Sequence, residues 1–545
     1  MPEAESDRAA VAADRPAIEI LALDWERIQL IVRARRCPGP SLDARDLRLR
    51  FDGAARRSVR PTHVATDGDE LFLRWNVMQG PGQQPLAPGR WTMVTTGRDG
   101  VEPVRIADPQ EVDARAAVGE FPLARGDYRV QPLIDPVDST LSLDVRLTPS
   151  TLPTPSGGPT WWRRAARLRS VRRAAFRLMF DLNRLLHRRN GRRILFTSDS
   201  RESLGGNLQV VHDRMVERGL DRRYRLLTLF KPSVTAPRSW RDRFRMPRLL
   251  AAADVIVLDD YQPAIYQLRP GSEPRIVQLW HASGAFKTVG YSRIGKPGGP
   301  SPYSRVHKNY THAIVSSDFD VPFYAEAFGI PEARVVATGI PRMDRFFDEA
   351  ARAEGRERAH VEFPQTEGRL TILFAPTFRG NGPRDAFYDY DLLDFRRLHQ
   401  VALEKDAVVI MRMHPFVAEP VPIPEELRDR IIDGSRAEID VNDLLFAVDL
   451  LITDYSSIVF EYSTLGRPML FFAYDLDEYV ATRDFYVPFE EFVPGRIVRS
   501  FDELLDAVRH DDYHVEKVAA FAARHFDHLD GTSTDRVIDE LILGR

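Results

Sequence analysis

Four apolar stretches in the second half of the sequence end in side chains that can accept a proton or bind an anion. The two histidines are His281 and His414, and the neighbouring polar groups are Thr377, Arg379, Arg412, Asp454, Ser456 and Ser457. Histidine has an unperturbed pKa of about 6.5, so it can take a proton from a hydroxyl near neutral pH. Arginine and hydroxyl groups donate hydrogen bonds to phosphate oxygens. Together these residue types indicate proton transfer beside a bound phosphate.

The placement of these residues supports that interpretation. They follow or end the predicted strands "RIVQLW", "LTILFAP", "AVVIMRMH" and "DLLIT". Ligands of parallel α/β sheets bind beyond the carboxyl ends of the strands. A single histidine at a strand end is more often structural than catalytic, but four strands that end this way predict a site.

The stretch "TDYSSIVFEYSTLGRP" is the most informative of these. Ser456 and Ser457 fall where a strand gives way to a helix, so they are candidate N-caps. The same position offers free amides and the positive end of a helix dipole, which favours an anion such as phosphate. Arg379, Arg412 and His414 would add charge-assisted hydrogen bonds around it.

Several other kinds of chemistry are not indicated. The sequence has no Walker loop, no GxGxxG after these strands and no HExxH, so we expect neither ATP hydrolysis nor a nicotinamide cofactor. Cys37 is the only cysteine, which excludes an intrachain disulfide and a multi-cysteine metal site. The acidic pair in "LDDY" is interpreted as a solvated loop. We therefore expect no cofactor and no bound metal.

The predicted site lies in the second half of the chain, and we expect other domains before it. Its 545 residues are enough for several domains, and 43% hydrophobic with 28% charged residues is a globular composition. Residues 1–150 contain short alternating strands such as "ELFLRWNV" and "LSLDVRLT", which predict an all-β, sandwich-like accessory domain. We find no chemical constellation in it.

Residues 151–192 are predicted to form a Pro/Gly/Ser/Thr linker and a basic amphipathic helix. Its apolar residues recur at helical spacing: Leu168, Val171, Ala175, Leu178, Leu182 and Leu185. Its expected membrane-binding residues are Trp161, Trp162, Arg163, Arg164, Arg172 and Arg173. The pattern is typical of a helix on an anionic membrane. The alternatives are docking on the protein itself and non-specific nucleic-acid binding.

From residue 193 onward the pattern changes to continuous apolar strands spaced by helices, which indicates parallel sheets covered on both faces. The polar stretch 345–369 interrupts the series. We predict two Rossmann-like domains, 193–350 and 351–545, that face a cleft. The N-terminus lacks the apolar segment of a secretory signal, and no apolar run approaches the roughly 18 residues of a membrane span.

The order of motifs resembles the CDP-glycerol glycerophosphotransferase family, the teichoic-acid primases and polymerases, which have a GT-B fold. The matching segments include "QLWHASGAFKTVG", "ATGIPRMDRFF", "LFAPTFRG", "MRMHP", the long "TDYSS" segment and "RDFYVPFEEFVPGRIV", over some 300 residues. In place of the polymerase-like "WHGTPLK", this chain has "WHASGAFK". That form looks closer to primase-like and ribitol-type members.

The resemblance implies roles for individual residues. The family's two important histidines fall on His281 and His414, and the serines near the donor phosphates fall on Ser456 and Ser457. Thr377, Arg379, Arg412 and Asp454 are expected to bind the donor phosphates. Supporting positions are expected at Gly339, Arg342, Asp344, Lys287 and Glu461.

The implied reaction is attack of an acceptor hydroxyl on the β-phosphorus of a CDP-polyol, with release of CMP. His281 is expected to be the base, since it belongs to the N-terminal, acceptor-binding sheet. Glycerol phosphate is the first expectation for the transferred group, and ribitol phosphate is the alternative. A lipid-linked acceptor would place the protein on the cytoplasmic face of the plasma membrane. The rival interpretations are a GT-B enzyme that uses a nucleotide sugar and a non-catalytic scaffold.

Overall fold

The computed structural model describes residues 17–38, 42–53, 57–97, 100–107, 118–123, 126–135, 137–149, 160–187, 190–233, 236–268, 274–380, 382 and 384–545. The predicted linker before residue 160 lies outside these ranges, and so do the side chains of residues 160–169.

The first part of the chain forms two β-sheets. Their strands are β1 (Ile18–Glu26), β2 (Gln29–Arg36), β3 (Arg48–Phe51), β4 (Ser58–Val59), β5 (His63–Asp67), β6 (Glu70–Asn76), β7 (Gly89–Gly97), β8 (Gly100–Pro103), β9 (Ile106–Ala107), β10 (Gly119–Leu123), β11 (Gly126–Ile134) and β12 (Leu141–Pro149). One sheet has the order β5-β6-β2-β1-β9 and the other β10-β11-β12-β7-β3-β4, with β8 on β7. Inward residues of both sheets share one core. Such packing is what the alternating pattern predicts.

The basic helix α1 (Thr160–Leu186) follows, and it packs on α3 (Trp240–Ala252). Phe176 and Phe180 are its buried residues in the described part. The predicted apolar stripe does not make this contact, because Val171, Leu178, Leu182 and Leu185 are exposed. Docking on the protein therefore uses a second apolar face of the helix, which the aromatic pair forms at i and i+4.

A third sheet is parallel throughout and has the order β14-β13-β15-β16-β17-β18. Its strands are β13 (Arg193–Ser198), β14 (Arg225–Phe230), β15 (Val255–Leu258), β16 (Arg275–Gln278), β17 (His312–Ile314) and β18 (Val335–Val336). Helices α2 (Gly206–Glu217), α3 and α4 (Val321–Phe328) connect them. We call this unit the first α/β unit.

The fourth sheet is also parallel, with the order β21-β20-β19-β22-β23-β24. Its strands are β19 (Leu370–Phe374), β20 (Ala407–Met411), β21 (Ile431–Asp433), β22 (Leu450–Thr453), β23 (Met469–Phe472) and β24 (Arg496–Val498). This is the doubly wound order 3-2-1-4-5-6. Successive strands are added outward on one side from β19 and then on the other side from β22, so the strand order reverses between these two strands. Ligands of such sheets bind at that reversal.

The helices of this second α/β unit are α5 (Glu349–Glu362), α6 (Phe395–Glu404), α7 (Val441–Leu445), α8 (Ile458–Ser463), α9 (Leu476–Thr482), α10 (Phe489–Phe492), α11 (Phe501–His510), α12 (Glu516–His525) and α13 (Ser533–Arg536), followed by the π-helix Val537–Leu543. The last two elements pack back on the first unit, where they contact α2 and β16. Division of the chain at residues 350 and 351 therefore remains a prediction, since the C-terminal helices belong spatially to both units.

The three parts of the molecule are joined by buried contacts. One hydrophobic cluster contains Val257 of the first α/β sheet and Leu373 of the second. The β-domain is fixed to α4 because Arg27 Nε and Gln29 Nε2 donate to the carboxylate of Glu326 at 2.7 and 2.6 Å.

Candidate active site

A strained turn places His281 in the cleft between the two α/β units. Trp280, which precedes it, is buried and has φ 49°, in the left-handed region that a bulky residue rarely adopts. The Trp280 amide donates to Gln278 Oε1 at 2.8 Å, and Asn207 Nδ2 donates to the Trp280 carbonyl at 2.8 Å. The His281 side chain remains 51% exposed. Strain of this kind persists where surrounding contacts over-determine the conformation, and here those contacts aim the histidine at the cleft.

The surroundings of His281 favour its neutral form. Desolvation in the cleft lowers its pKa from 6.5, Asp260 opposes that change, and Arg342 adds to it. The His281 Nδ1 atom lies 3.9 Å from Asp260 Oδ1, too far for a direct hydrogen bond. A neutral imidazole in a cleft can accept a proton from a bound hydroxyl.

His414 has the opposite hydrogen-bonding character. It follows β20, and the centre of its ring lies 4.7 Å from the ring centre of Phe378 and 4.6 Å from that of Phe416. The Phe416 amide donates to His414 Nδ1 at 3.1 Å, so the neutral ring carries its proton on Nε2. Burial, and next the charge of Lys287, lower the pKa of His414. His414 is therefore set up as a hydrogen-bond donor, which suits phosphate binding better than proton abstraction.

Ser456 and Ser457 lie between β22 and the short helix α8. The Ile458 amide donates to Ser456 Oγ at 3.4 Å, whereas Ser457 makes no capping hydrogen bond. Helix α8 has only six residues, so the expected helix-dipole contribution is small. The two hydroxyls are nevertheless at the strand reversal, where the sequence places an anion.

Arg379 is held behind the cleft instead of facing it. Its guanidinium donates to both carboxylate oxygens of Asp475 at 2.6 and 2.9 Å and to Asp454 Oδ2 at 2.9 Å. Asp454, whose side chain is 2% exposed, also accepts from the amide and hydroxyl of Thr377 at 2.8 and 3.0 Å. These residues form a buried network that fixes the strand ends. The geometry gives Arg379 a supporting position where the sequence suggested direct phosphate contact.

Arg412 is likewise occupied by the protein. It donates to the carbonyls of Gly434, Ala437 and Ile439, the last two at 2.9 and 3.0 Å. These contacts hold the loop after β21 against the cleft. Burial lowers the pKa of the Arg412 guanidinium. Its role in this structure is to shape a wall of the site.

The "GIPRMD" segment joins the two units. Arg342 forms an ion pair with Glu461 of α8, and Ser283 Oγ donates to the same carboxylate oxygen at 2.7 Å. Asp344 accepts from the amides of Ser533 and Thr534 at 2.9 and 2.8 Å. These contacts make Arg342 and Glu461 part of the cleft wall and leave Asp344 in a structural position.

Gly339 belongs to the same segment. It has φ 79°, and a Cβ there would lie 2.2 Å from Ser533 Oγ. Glycine is therefore required at this position for both conformation and close packing.

Two chambers lie in the cleft between the described parts of the two α/β units. The larger, about 470 Å³, is lined by residues that include His281, Arg342, Arg412, Glu461 and the segment 439–442. The smaller, about 180 Å³, is lined by Lys287, Thr377, Phe378, Tyr479 and Arg483. Both chambers are also lined by His414, Ser456 and Ser457. These three residues therefore form the junction of the chambers.

Several of these residues were not singled out from the sequence. Asn207 links the cleft turn to the "GIPRMD" segment, since its Oδ1 also accepts from the Arg342 amide at 3.0 Å. Arg483 lies in "RDFYVPF", a segment that carried resemblance but no assigned role. Phe378 lies within "PTFR", between the two residues that were assigned. Arg483 and Phe378 lie within motifs that the sequence analysis recognised, whereas no sequence pattern pointed to Asn207.

The residues expected at a membrane are only partly described. The side chains of Trp161, Trp162, Arg163 and Arg164 lie outside the described residues, while Arg172 and Arg173 are exposed. Trp240 and Phe244 of α3 are exposed as well, at 69% and 62%. Among the helices of the described ranges, none is both long and apolar enough to cross a bilayer. Within those ranges, no group of three or more His, Cys, Asp or Glu side chains is arranged to hold a metal ion.

Fold and site define a two-unit α/β protein with a cleft at the carboxyl ends of two parallel sheets, lined by His281, His414, Ser456 and Ser457. Residues 178–543 match the family model of CDP-glycerol:poly(glycerophosphate) glycerophosphotransferase. The chain belongs to this family, as the resemblance in its motifs suggested.

Curated relatives agree with this assignment, and a solved structure agrees with the fold. The chain is 50% identical to the teichoic acid ribitol-phosphate polymerase TarK of Staphylococcus aureus over 67% of this chain and 71% of that protein. It is 46% identical to the ribitol-phosphate polymerase TarL of the same organism, over 68% and 66% of the two chains. It is 26% identical to the teichoic acid glycerol-phosphate primase of Bacillus subtilis over 53% and 74%. The structure of the wall teichoic acid polymerase TagF matches with a TM-score of 0.55 and 23% identity, over 70% of this chain and 95% of that one, which supports the fold.

Proposed function

We propose that the protein transfers ribitol phosphate from CDP-ribitol to a hydroxyl of a teichoic acid acceptor and releases CMP. Glycerol phosphate was the first expectation from the motifs. The relatives at 50%, 46% and 40% identity are named as ribitol-phosphate polymerases, whereas glycerol-phosphate relatives match at 26–29%. The comparisons therefore favour the ribitol alternative. The GT-B description of the two α/β units is part of the same proposal.

The observation that carries this proposal is the complementary state of the two histidines. The cleft favours the neutral form of His281, which makes no direct hydrogen bond to Asp260 and can therefore act as a base. His414 has its Nδ1 occupied by the Phe416 amide, so its Nε2–H can donate to a phosphate oxygen. One proton acceptor and one fixed donor across a cleft are what attack of a hydroxyl on a phosphate ester requires.

In the proposed reaction the acceptor oxygen forms a bond to the β-phosphorus as its proton passes to His281. The bond between the β-phosphorus and the bridging oxygen breaks, and CMP leaves with the negative charge. His414 and the hydroxyls of Ser456 and Ser457 donate to the pyrophosphate oxygens. Phosphoryl transfer depends chiefly on such positioning and electrostatic stabilisation.

Arg379, Arg412, Thr377 and Asp454 enter this proposal as supporting residues. Their side chains hold strand ends and a loop through contacts within the protein. We therefore expect them to affect the reaction chiefly by positioning the junction of the chambers, while Thr377 and Arg412 also line the chambers themselves.

A second part of the proposal concerns the membrane. Helix α1 packs on α3, and both carry exposed apolar side chains together with arginines such as Arg172 and Arg173. Surfaces of this composition bind anionic membranes through apolar contact and charge. We propose peripheral binding to the cytoplasmic face of the plasma membrane, which would bring the cleft to a lipid-linked acceptor.

The proposed function is tested by a panel of donors. Nucleotide release is measured for the full chain in the presence of membranes that carry teichoic acid acceptor: CMP from CDP-ribitol or CDP-glycerol, and UDP from a UDP-sugar. We expect release with CDP-ribitol to exceed release with CDP-glycerol by at least tenfold. Preferred turnover of CDP-glycerol would restore the first expectation, and turnover of the nucleotide sugar alone would identify a glycosyltransferase.

A further inference from the structure

The smaller chamber is a distinct part of the cleft with its own chemistry. At about 180 Å³ it has the liquid volume of roughly six waters, below the roughly 300–1,000 Å³ of sites for drug-sized ligands. The larger chamber, at about 470 Å³, falls within that range. A nucleoside therefore fits the larger chamber, whereas the smaller one suits a compact polar group.

Both α/β units contribute to the smaller chamber. Lys287 comes from the loop after His281, and Arg483 comes from the end of α9. The two segments pair in antiparallel fashion, because the Thr288 amide donates to the Asp484 carbonyl at 2.9 Å and the Tyr486 amide to the Phe286 carbonyl at 3.0 Å. This pairing fixes Lys287, with its ammonium 5.2 Å from the centre of the Tyr479 ring.

The chamber is positively charged. Lys287 and Arg483 line it, and His414 adds a hydrogen-bond donor. Asp454 is the carboxylate that acts most strongly on the charge of Lys287, and it already accepts hydrogen bonds from Arg379 and Thr377. Burial lowers the pKa of Lys287 to about 8; Asp454 opposes this change, and Arg483 adds to it. An anion in the chamber would relieve the mutual repulsion of the two cations.

The shared junction fixes how a CDP-polyol would lie. Its pyrophosphate separates a nucleoside, which needs the larger chamber, from a polyol. His414, Ser456 and Ser457 line both chambers and are therefore placed for the pyrophosphate between them. The polyol end then lies in the smaller chamber.

We propose that the smaller chamber is the subsite for the transferred polyol phosphate, with Lys287 and Arg483 bound to oxygens of its phosphate group. This inference rests on the proposed function and assigns a role to residues that the comparisons leave unassigned. The two cations hold the β-phosphate while its bond to the bridging oxygen breaks and its bond to the acceptor oxygen forms. They neither gain nor lose a proton in the step.

The experiment compares three ligands that differ only beyond the α-phosphate. Binding of CMP, CDP and CDP-ribitol to the full chain is measured by calorimetry for wild type, Lys287→Met and Arg483→Met. Lys296→Met is the matched control, since Lys296 lies on the same loop, is 55% exposed and pairs with Asp484 outside the chamber. The Tm of each variant is recorded alongside binding.

We expect each chamber variant to bind CDP and CDP-ribitol roughly 10- to 100-fold more weakly, the loss that goes with one hydrogen bond to a charged group. CMP binding should stay within about twofold, because CMP carries no β-phosphate, and Lys296→Met should match wild type.

If both variants lose as much affinity for CMP as for CDP, the inference is overturned, since the chamber would then hold the nucleotide. Unchanged binding of all three ligands combined with lost transfer would also overturn it, because the chamber would then belong to the acceptor. Wild type that binds none of the three ligands would refute the proposed function itself.

Discussion

Replacement of Arg379 by glutamine separates a supporting role from a ligand-binding one. In the structure Arg379 is the countercharge of two carboxylates, Asp454 and Asp475, and its own side chain is 11% exposed. Removal of one partner of a buried ion pair costs about 3–5 kcal/mol, because a charge is left buried without compensation. A loss of 1 kcal/mol lowers Tm by about 2–4 °C for a unit of 150–250 residues, so we expect a decrease of roughly 6–20 °C.

The assay is thermal unfolding of the full chain, with Arg397→Gln as the matched control. Arg397 pairs with Asp502 at the surface of the same unit, where both side chains are largely exposed. Such a pair contributes at most about 1 kcal/mol, so its loss should lower Tm by less than about 4 °C. Asp475→Asn combined with Arg379→Gln should recover part of the lost stability, because the double variant buries one charge fewer.

The result that refutes this reasoning is an unchanged Tm together with weakened binding of CDP. Arg379 would then contact the donor phosphates directly, as its position after "LTILFAPT" first suggested. A large decrease in Tm with CDP binding that persists below the transition would support the buried network.

Three further outcomes are expected. The plot of kcat/KM for transfer against pH should be bell-shaped. It falls on the acid side as His281, whose pKa is lowered from 6.5, becomes protonated, and on the alkaline side as Lys287 loses its proton near pH 8. The variant Lys287→Arg should therefore keep its activity to higher pH. His414→Gln should retain at least tenfold more transfer activity than His414→Ala, because glutamine restores an N–H donor; equal activities would argue that His414 acts as a base. The double variant Arg172→Glu, Arg173→Glu should lose most of its sedimentation with anionic vesicles and keep its Tm, and unchanged sedimentation would exclude this part of α1 from membrane binding.

The positions of strands and site loops could be predicted from the sequence because continuous apolar runs and their polar ends are local patterns. His281, His414, Ser456 and Ser457 all line the cleft, at the edge where parallel strands end. The order of strands within each sheet was not predicted, since it depends on long-range pairing.

The directions of long side chains were harder to predict. Arg379 and Arg412 follow strands that end at the cleft, yet the guanidinium group of Arg379 binds Asp475 and that of Arg412 binds backbone carbonyls. An arginine can reach several partners from one backbone position, and only the packed structure decides among them. The acids that pair with Arg379 and the carbonyls that accept from Arg412 lie 22 to 96 residues away in sequence.

The face by which α1 docks is a comparable case. The sequence has two apolar faces, one with Val171, Leu178 and Leu185 and the other with Phe176 and Phe180. Helical periodicity indicates that both exist but not which one meets the protein. The larger aromatic side chains make the contact, and the aliphatic face remains exposed.

His281 is the proton acceptor in the proposed polyol-phosphate transfer. The decisive measurement is the rate of CMP release from CDP-ribitol, with acceptor present, by wild type and by His281→Ala at equal occupancy of the donor site. We predict a decrease of about 10²–10⁴-fold in rate with donor affinity unchanged, the usual contribution of a general base. Release within a few-fold of wild type would contradict the account and move the proton transfer to another group.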